Sequence, residues 1–525
     1  MKPVLTPAEM AAWDQATIAA GTPVSVLMDR AGRAVAWEVR RRLGGTYGAR
    51  VVVVCGPGNN GGDGRVAAAV LRSWGVRVAV FALAGSSGGR PGEPSDEPSD
   101  APFDAPFDAD AFDVALRRAD MLVDAMYGTG LRSPLDGAAA LVARRSREIP
   151  TVAVDIPSGV DGATGAVVGD AVQAVVTVTF AARKRGHCFE PGRSRAGEIM
   201  VADIGIDRRG GGSAELEPMS MMVERSDIAA WLPTPAPETN KWNAAVLVVG
   251  GSTGMVGAPL LVSRAAMRTG ARLVWCAVPG IDAAGRAGGT EVIARALPAT
   301  AAGALSGFDD DLRAALGRFR AAAVGPGLGV APETRTAIRE LVAAFPGPLV
   351  LDADGLNAFA GDARALRSRA GPTVLTPHAA EFERLLGEPV GIDRVAAARR
   401  LAEASGCITL LKGPGTVIAH PDGRLALNPA DGPWLGTAGS GDALSGIIAG
   451  FLARGIEAFE AAAGAALVHG LAADAAGHTG LVAGDIVAAL PRTLDRLTGF
   501  PVPGSKVSGF STPSSPAPSP SDRET

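Results

Sequence analysis

Continuous apolar runs alternate along the chain with segments whose apolar residues recur at helical spacing. In the first half, this pattern predicts strands at 51–55, 76–83, 121–124, 151–155 and 172–180, and helices at 7–20, 65–74, 114–118 and 137–146. The first helix follows a capping-box pattern, Thr6-Pro7-Ala8-Glu9. Because strands buried on both faces read as unbroken apolar runs, the alternation predicts a parallel sheet covered by helices on both sides.

The alternation resumes from about residue 244 and ends near residue 491. Apolar runs at 245–249, 321–324, 349–351 and 374–375 are each followed by a loop rich in glycine or polar residues. Open α/β sheets gather their ligands at the carboxyl ends of the strands. The second half is therefore predicted to be another α/β domain with a site at one edge of its sheet.

Three segments interrupt this pattern. Residues 84–113 contain tandem Glu-Pro-Ser-Asp and Ala-Pro-Phe-Asp repeats, and residues 93–113 carry eight acidic and no basic side chains. This composition indicates a flexible acidic surface insertion. Residues 208–213 are typical of an interdomain linker, and the Pro- and Ser-rich tail 501–525 is predicted to be disordered.

Composition narrows the class of protein. The 525 residues are 47% hydrophobic and 20% charged, which is typical of a globular protein with two cores. A formal net charge of −4 argues against a polyanion-binding surface. Glu9 and Asp14 lie where a signal peptide needs an apolar core, and no apolar run approaches the roughly 18 residues that span a bilayer. We therefore expect a cytoplasmic protein that binds neither nucleic acid nor membrane.

Cysteine, histidine and lysine usage limits the candidate chemistry. The four cysteines form no C-x-x-C pair and the five histidines show no metal-ligand spacing, so neither a disulfide framework nor a zinc site is indicated. Only five of the fifty basic residues are lysines. Lys184, Lys241 and Lys412 therefore become candidates for work that needs a compact ammonium group.

A glycine-rich turn at 56–64 connects the strand 51–55 to a helix. Its exposed amides, together with the helix N-terminus, can bind an anion. The turn satisfies the G-x-G-x-x-G dinucleotide fingerprint, but the next strand ends at Leu83 with no acidic residue for a ribose hydroxyl group. A tight turn without a ligand is the alternative interpretation.

Two further loops, 124–134 and 155–159, leave predicted strands and begin with Asp124 and Asp155. Taken alone, each aspartate is as readily an N-cap or a turn residue as a catalyst. Three loops that meet at the same edge of one sheet favour a functional site.

The motifs of these loops resemble a known family. Asn-Asn-Gly-Gly-Asp (59–63), Gly-Thr-Gly-Leu (128–131) after Asp124, Asp-Ile-Pro-Ser-Gly (155–159) and the segment 180–186 are similar to the NAD(P)H-hydrate epimerase domain. The resemblance covers about 1–207 apart from the insertion, and it implies a Rossmann-like three-layer domain with a potassium ion held by Asn60, Asp124 and Ser158. It implies a hydrated-nucleotide pocket lined by Asn59, Asn60, Gly61, Gly62, Asp63, Gly128, Thr129, Gly130, Leu131, Arg132, Ser133, Pro134 and Asp155.

Epimerisation at C6 of a hydrated nicotinamide ring breaks and remakes a bond at a carbon that bears both a hydroxyl group and a nitrogen. A carboxylate can move the proton that this requires, and Asp155 is the catalytic candidate. Lys184 is either the charge partner of this carboxylate or a solvated lysine between Arg183 and Arg185.

In the second half, Gly-Thr-Ala-Gly-Ser-Gly-Asp at 436–442 precedes a predicted helix at 443–452. Exposed amides 439–441 at a helix N-terminus can stabilise a transferring phosphoryl group, and Asp442 stands where a base can reach a hydroxyl group. The sequence contains no Walker A motif, so phosphoryl transfer of another type is indicated. The alternative is an N-terminal cap with Asp442 facing the helix dipole.

Other candidates are weaker on their own. Lys412 precedes a glycine-rich turn, 413–416, that suits a nucleotide phosphate or ribose, and a β-hairpin turn is the competing interpretation. His378 follows a strand and is either a substrate contact or a structural residue. His469 and His478 lie in an Ala-rich helical region and are assigned to packing or to the surface.

Several motifs of this half together resemble the ADP-dependent NAD(P)H-hydrate dehydratase domain, whose fold is ribokinase-like. They are the loops 250–258 and 325–329, the segments 352–357 and 376–381, the turn 412–416 and the motif 436–442. The resemblance covers about 225–495 and implies Mg²⁺ with ADP as cosubstrate. It places Ala258, Gly327, His378 and Asp442 at the hydrated nucleotide, and Lys412, Gly413, Pro414, Gly415, Thr416 and Gly441 at ADP. The family's His-Lys-Gly is replaced here by Asn240-Lys241-Trp242, which leaves the role of Lys241 open.

The whole chain thus resembles a bifunctional repair family that epimerises R and S NAD(P)H-hydrate and dehydrates the S epimer with ADP, giving AMP and phosphate. We predict an epimerase domain at 1–213, a linker at 214–224 and a dehydratase domain at 225–497. The expected partners are hydrated NADH or NADPH, ADP and a second copy of the chain. One rival is a ribokinase-type kinase that makes a stable phosphoester. Another treats the first half as a non-catalytic nucleotide-binding module.

Overall fold

The computed structural model describes residues 1–83, 105–131, 133–206, 219–234, 238–287 and 291–499. In chain order, its strands are β1 Lys2–Leu5, β2 Arg50–Cys55, β3 Arg77–Ala82, β4 Ala105–Pro106, β5 Met121–Ala125, β6 Thr151–Val154, β7 Val176–Phe180, β8 Arg183–Lys184, β9 Glu198–Ala202, β10 Ser220–Met222, β11 Ala245–Val249, β12 Leu273–Pro279, β13 Val292–Leu297, β14 Ala321–Val324, β15 Leu349–Leu351, β16 Thr373–Leu375, β17 Ile408–Leu411, β18 Val417–Ala419 and β19 Leu425–Leu427. Its α-helices are α1 Pro7–Ala19, α2 Val24–Leu43, α3 Asn59–Ser73, α4 Ala109–Leu116, α5 Gly137–Arg145, α6 Gly192–Ala196, α7 Arg225–Trp231, α8 Gly257–Arg268, α9 Ile281–Ala287, α10 Asp310–Ala315, α11 Pro332–Ala344, α12 Asp354–Asn357, α13 Ala379–Leu386, α14 Arg394–Ser405, α15 Ser440–Ala453, α16 Ala458–Ala476 and α17 Ala483–Thr498.

The first half of the chain builds a sheet of seven parallel strands in the order β4-β3-β2-β5-β6-β7-β9. Helices α2 and α3 pack on one face of this sheet, and α4 and α5 pack on the other. This arrangement confirms the predicted Rossmann-like three-layer fold. The strand order reverses between β2 and β5, and a crevice for ligands opens at such a switch point.

The carboxyl end of the predicted insertion 84–113 is ordered, so that part of the prediction is wrong. Strand β4 extends the sheet at β3, and Asp108 caps α4 by accepting two backbone N–H hydrogen bonds. Phe112 on α4 is fully buried, edge-to-face against Phe81. The second Ala-Pro-Phe-Asp repeat therefore supplies a strand and a helix cap instead of a solvated loop. Residues 84–104 lie outside the described residues.

The second half builds most of a longer sheet of twelve strands, in the order β13-β12-β11-β14-β15-β16-β17-β18-β19-β10-β1-β8. Neighbouring strands are parallel from β13 to β17, and the remainder of the sheet is mixed. Helices α8, α9 and α15 to α17 cover one face, and α10 to α14 cover the other. The order reverses between β11 and β14, so the loops after these two strands flank the crevice.

Three short strands extend this sheet beyond β19. Strand β10 runs parallel to β19, β1 runs antiparallel to β10, and β8 runs parallel to β1. Because β10 lies inside the predicted linker 214–224, the carboxyl end of that linker prediction is wrong. Strands β1 and β8 come from the predicted first domain, so the two halves share one sheet. Residues 207–218 and the predicted tail lie outside the described residues.

Local side-chain chemistry fixes the start of α1. Thr6 Oγ1 accepts a hydrogen bond from the Glu9 amide at 3.1 Å, and Glu9 Oε2 accepts one from the Thr6 amide at 2.7 Å, which confirms the capping box. Helix α3 begins at Asn59 instead of residue 65, so the motif 59–63 forms its first turn. In the described part of the chain, no helix combines the length and the apolarity that a bilayer crossing needs.

Candidate active sites

A cavity of about 560 Å³ opens at the carboxyl edge of the first sheet, beside the β2–β5 switch point. Its wall contains many residues of the predicted hydrated-nucleotide pocket: Asn59, Asn60, Asp63, Gly128, Thr129, Gly130, Leu131 and Asp155. Helices α1 and α2 close the cavity with apolar side chains such as Met10 and Leu27. The volume lies within the range of small-molecule sites.

Four further residues of that predicted pocket are described but are absent from the cavity wall. Gly61 and Gly62 serve close packing instead. A Cβ atom on Gly61 would lie 1.9 Å from the Gly56 carbonyl oxygen, and one on Gly62 would lie 2.6 Å from the Met28 sulfur. The other two are Ser133 and Pro134, whereas Arg132 lies outside the described residues.

Asp155 and Lys184 form a buried ion pair in this cavity. Lys184 Nζ lies 2.7 Å from Asp155 Oδ1, and the same ammonium donates hydrogen bonds at 2.9 Å to Thr179 Oγ1 and to the Phe180 carbonyl oxygen. Burial alone would raise the pKa of Asp155, but the charge and hydrogen bond of Lys184 outweigh it and lower the pKa. The alternative of a solvated Lys184 is therefore wrong, and its role as a charge partner is confirmed.

The backbone conformation of Asp155 is also unusual. Its φ is +64°, in the left-handed region that non-glycine residues rarely adopt. The peptide is held there by the Asp155 amide, which donates to the Val178 carbonyl oxygen at 2.7 Å, and by Thr179 Oγ1, which donates to Asp155 Oδ1 at 3.0 Å. Such conformations cluster at functional sites because the surrounding structure has to hold them.

Two more carboxyl groups, Asp14 and Asp63, line the same cavity. Burial and the negative charge of Asp155 raise the pKa of Asp63 to about 8. Burial also raises the pKa of Asp14 to about 6, although Lys184 partly opposes this. The cavity wall thus combines one carboxyl group with a lowered pKa, Asp155, and one with a raised pKa, Asp63. The sequence prediction missed Asp14, although its place between Met10 and Ile18 at four-residue spacing puts a carboxyl group within an apolar helical stripe.

Of the predicted potassium ligands, Asn60 lies in the wall of this cavity, whereas Asp124 and Ser158 are absent from that wall. Asp124 is fully buried, and its two oxygens accept hydrogen bonds from the Ser158 amide at 2.8 Å and from Ser158 Oγ at 2.7 Å. Burial raises the pKa of Asp124 to about 6, with the hydrogen bonds of Ser158 opposing the shift. Asn60 is also buried, and its Nδ2 has no hydrogen-bond partner.

These residues fit a monovalent cation. Within the described residues, Asp124 has hydrogen bonds but no ion pair, so its buried carboxylate lacks a compensating positive charge. Carboxylate, hydroxyl and amide oxygens are ligands for hard cations, and the potassium expected from the family resemblance is one of these.

In the second half, the loops after β11 and β14 meet at the switch point. The Gly251 amide donates to the Pro326 carbonyl oxygen at 2.7 Å, and Gly327 approaches Met255 so closely that a Cβ atom would lie 3.0 Å from its carbonyl oxygen. Ala258 lies half-buried in the first turn of α8. The two predicted substrate residues, Ala258 and Gly327, therefore come from neighbouring loops.

Lys412 lies at the centre of a second buried charge cluster. Its Nζ is 2.8 Å from Asp352 Oδ1 and 3.8 Å from Glu381 Oε2, while Ser445 Oγ donates to Asp352 Oδ2 at 2.8 Å. Burial would lower the pKa of Lys412, but the two carboxylates outweigh this effect and raise it. A Cβ atom on Gly441 would lie 3.4 Å from Nζ, so the ammonium faces the predicted phosphoryl loop. The sequence prediction did not assign the Asp352 and Glu381 contacts.

Asp442 lies in the first turn of α15, after Gly439 in the left-handed conformation with φ +84°. Burial and the negative charge of Asp352 raise the pKa of Asp442 to about 6, and Lys412 partly opposes the shift. A carboxylate with this pKa is suited to general base catalysis near neutral pH. Of the predicted amide donors, that of Ser440 donates to the Thr437 carbonyl oxygen at 3.3 Å.

The turn 412–416 connects β17 to the antiparallel strand β18, so the competing β-hairpin interpretation is correct for the backbone. Arg394 braces the turn by donating to the carbonyl oxygens of Lys412 at 3.0 Å and Gly415 at 3.2 Å. The hairpin also presents Lys412 to the Asp442 loop, and nucleotide binding by this turn stays a prediction.

The histidines take different places. His378 is the N-cap of α13, where its Nδ1 accepts from the amides of Ala380 and Glu381, and half of its side chain stays exposed. His469 is buried, and burial lowers its pKa to about 4, which agrees with the packing role predicted for it. The ring of His478 stacks on Trp434 with centroids 3.8 Å apart.

Comparison with known proteins assigns both halves of the chain to one family. A model described as NAD(P)H-hydrate dehydratase matches residues 246–492, and one described as YjeF-related protein N-terminus matches residues 24–186. The chain is 39% identical to the bifunctional NAD(P)H-hydrate repair enzyme of Moorella thermoacetica, over 94% of this chain and 97% of that protein. It belongs to the family of bifunctional NAD(P)H-hydrate repair enzymes.

A second relative has the same description. The bifunctional NAD(P)H-hydrate repair enzyme of Mycobacterium tuberculosis is 39% identical over 86% of this chain and 89% of that protein. A solved structure of the ADP/ATP-dependent NAD(P)H-hydrate dehydratase from Bacillus subtilis, co-crystallised with ATP and Mg²⁺, is 30% identical. The match covers 53% of this chain and 98% of the Bacillus subtilis chain, with a TM-score of 0.46.

Membership in the NAD(P)H-hydrate repair family confirms the predicted function at the level of the whole chain. The protein is an enzyme with an epimerase activity and a dehydratase activity for NAD(P)H-hydrate. The rival predictions, a kinase with a stable phosphoester product and a non-catalytic first half, are not supported.

Proposed function

We propose that Asp155 is the base that epimerises hydrated NADH and NADPH in the first cavity. The observation that carries this assignment is the buried contact of Asp155 with Lys184, which keeps the carboxylate ionised in a site that would otherwise protonate it. Asp63, on the same cavity wall, retains its proton at pH 7 and is the matching acid. Two carboxyl groups with separated pKa values are suited to acid and base roles.

The reaction then follows from this division of roles. Asp155 accepts the proton of the C6 hydroxyl group, the C6–N1 bond breaks, and Asp63 donates its proton to N1. The resulting aldehyde turns about the C5–C6 bond and presents its opposite face to N1. When N1 attacks again, its proton returns to Asp63 and Asp155 gives its proton back to the oxygen, which leaves the other epimer and the original enzyme.

The same proposal includes a potassium ion held by Asn60, Asp124 and Ser158. The fully buried Asp124 supports it, because a cation compensates a carboxylate that otherwise has only hydrogen bonds in the described structure. A bound ion would supply positive charge that favours an anionic nucleotide. Asn59, Asn60 and the loop 128–131 would hold the rest of the substrate.

In the second domain, Asp442 is the base for dehydration and the turn 412–416 with Gly441 binds ADP, which enters as its Mg²⁺ complex. The cluster around Lys412 supports this, because it holds one ammonium between the turn and the Asp442 loop. Ala258, Gly327 and His378 would contact the hydrated nucleotide. His378 can do so only through the part of the ring that does not cap α13.

The dehydration proceeds by activating a poor leaving group. Asp442 accepts the proton of the C6 hydroxyl group, and the oxygen attacks the terminal phosphorus of ADP, which releases AMP. The C6–O bond then breaks with the help of the N1 lone pair, and inorganic phosphate leaves. Loss of a proton from C5 to that phosphate restores the C5=C6 double bond, and Asp442 releases its proton to solvent, so the net products are NAD(P)H, AMP, phosphate and a proton.

The test is incubation with an R/S mixture of hydrated NADH and ADP, with absorbance of the dihydronicotinamide, AMP and inorganic phosphate followed together. The proposal expects all the hydrate to return to NADH with one AMP and one phosphate for each molecule. A phosphorylated nucleotide that accumulates instead would contradict it. Recovery that stops when the S epimer is consumed would contradict the epimerase assignment alone.

We also propose that the enzyme acts in the cytoplasm as a homo-oligomer. All four cysteines are free and buried, which is usual for proteins of reducing compartments. Gel filtration with light scattering tests the oligomeric state, and a single-chain mass would contradict that part of the proposal.

A further inference from the structure

Asp431 anchors the turn 412–416 from the second domain. Its Oδ2 accepts hydrogen bonds from the amides of Gly415 at 2.6 Å and Thr416 at 3.2 Å. The Asp431 side chain is 9% exposed, so its charge is largely removed from water. A buried carboxylate with two backbone donors needs a positive partner as well.

That partner comes from the first domain. Arg193 on α6 pairs with Asp431 Oδ1, and its second nitrogen donates to the carbonyl oxygens of Pro429 at 3.2 Å and Asp431 at 3.3 Å. One arginine thus holds both the side chain and the backbone of the segment behind the turn. Arginine suits this task because its planar fork makes several hydrogen bonds at once.

The first domain touches the turn at a second point. Gly415 adopts φ +73° and packs so tightly that a Cβ atom there would lie 2.5 Å from the Phe189 ring and 3.0 Å from the Cys188 carbonyl oxygen. Arg193 and Phe189 lie four residues apart, and the amide of Arg193 donates to the Phe189 carbonyl oxygen at 2.8 Å. The turn is therefore braced by Arg394 on one side and by a segment of the first domain on the other.

We propose that Arg193 is a positioning residue for the adenine nucleotide, so that the epimerase domain completes the ADP-binding turn of the dehydratase domain. This inference rests on the proposed binding of ADP at 412–416. Arg193 does not reach the reacting atoms. It acts by fixing Asp431, which in turn fixes the amides of Gly415 and Thr416.

The test is Arg193→Ala in the full chain, with Arg195→Ala as the matched control. Arg195 lies on the same helix, but its guanidinium donates to Gln173 of the first domain at 3.2 Å. We expect Arg193→Ala to raise the KM for ADP about tenfold, a usual size for coupling between sites. The kcat of dehydration, the KM for the hydrated nucleotide and the epimerase rate should match the control, and Arg193→Lys should recover part of the ADP affinity.

A double-mutant cycle separates positioning from general damage. Asp431→Asn keeps an oxygen for the two amides but loses the charge pair, so adding Arg193→Ala to it should weaken ADP binding little further. Equal KM values for ADP in Arg193→Ala and Arg195→Ala would overturn the inference, and so would a fall in kcat with an unchanged KM.

Amide hydrogen exchange of the wild-type chain with and without ADP distinguishes the role of Arg193 from ADP binding at 412–416 itself. Protection of 412–416 by ADP, together with unchanged ADP affinity in Arg193→Ala, would overturn the role of Arg193 alone. Absence of any protection there would remove the proposed ADP site, and this inference with it.

Discussion

Lys184 Nζ lies 2.7 Å from Asp155 Oδ1, and only 1% of the Lys184 side chain is exposed. The pair places one positive charge beneath a cavity that also contains Asp14 and Asp63. Among these three carboxyl groups, Asp155 is the one with a lowered pKa. The position of a single ammonium group thus lowers the pKa of one carboxyl group, while burial raises the pKa values of the other two.

Lys184→Met should reduce epimerisation about a hundredfold or more at pH 7, because Asp155 would lose the charge that lowers its pKa and would hold a proton. The pH at which activity appears should move upward. Epimerase pH profiles measure both effects, with the exposed Lys241→Met as control. An unchanged profile in Lys184→Met would refute the role of the pair. Dehydration of pure S epimer should be unaffected.

Asp442→Asn should abolish ADP-dependent dehydration and leave R/S equilibration intact, whereas Asp155→Asn should do the reverse. In the wild type, kcat/KM for dehydration should fall tenfold per pH unit below about pH 6, because the pKa of Asp442 is raised to about 6 and the base must be ionised. Initial rates with pure S epimer between pH 5 and pH 8 test this. If both variants retain both activities, the two assignments are wrong.

Asp63 should make the fold less stable as pH rises. Its pKa is about 8 in the folded chain and about 3.9 in an unfolded one, so between these values the folded state holds a proton that the unfolded state has released. Its contribution is complete below pH 3.9 and is lost as pH rises through 8.

Asp63→Asn should therefore raise the free energy of unfolding at pH 7 by up to about 4 kcal/mol and should flatten its pH dependence. Urea unfolding in potassium-free buffer at several pH values measures this, with the exposed Asp29→Asn as control. If the free energy of unfolding changed with pH equally in Asp63→Asn and Asp29→Asn, that result would argue against a protonated Asp63.

Potassium removal should slow epimerisation and spare dehydration of pure S epimer. Asp124→Asn should show low epimerase activity that added potassium no longer increases, because the buried charge that attracts the cation is gone. Rates in potassium and in choline buffers provide the comparison. Potassium stimulation of equal size in the wild type and in Asp124→Asn would rule out this carboxylate as a ligand.

The sequence was sufficient to predict the strands that are buried along their whole length. The apolar runs of β2, β11 and β14 predicted inner parallel strands, and the polar loops after them lie at the edges where ligands are expected. The pattern of Thr6 and Glu9 predicted the start of α1 for a different reason, because all the atoms of the capping box lie within four residues of one another.

Long-range pairing could not be predicted in this way. Strands β1, β8 and β10 are two to four residues long and are held by partners far along the chain, so they carry no periodic signal of their own. From sequence alone, Phe112 was assigned to the acidic insertion. In the structure, it lies on α4, next to the strand β4 that pairs with β3. The contacts of Lys412 with Asp352 and Glu381 likewise depend on three separate segments of the chain that meet only in the folded domain.

The mixed origin of the twelve-stranded sheet limits how this polypeptide can be divided. A cut between residues 206 and 219 would leave β1 and β8 on one fragment and β10 with β19 on the other, each with unpaired backbone groups along an open edge. Such edges promote aggregation. Either half of this chain, expressed separately, is therefore expected to aggregate more readily than the full chain.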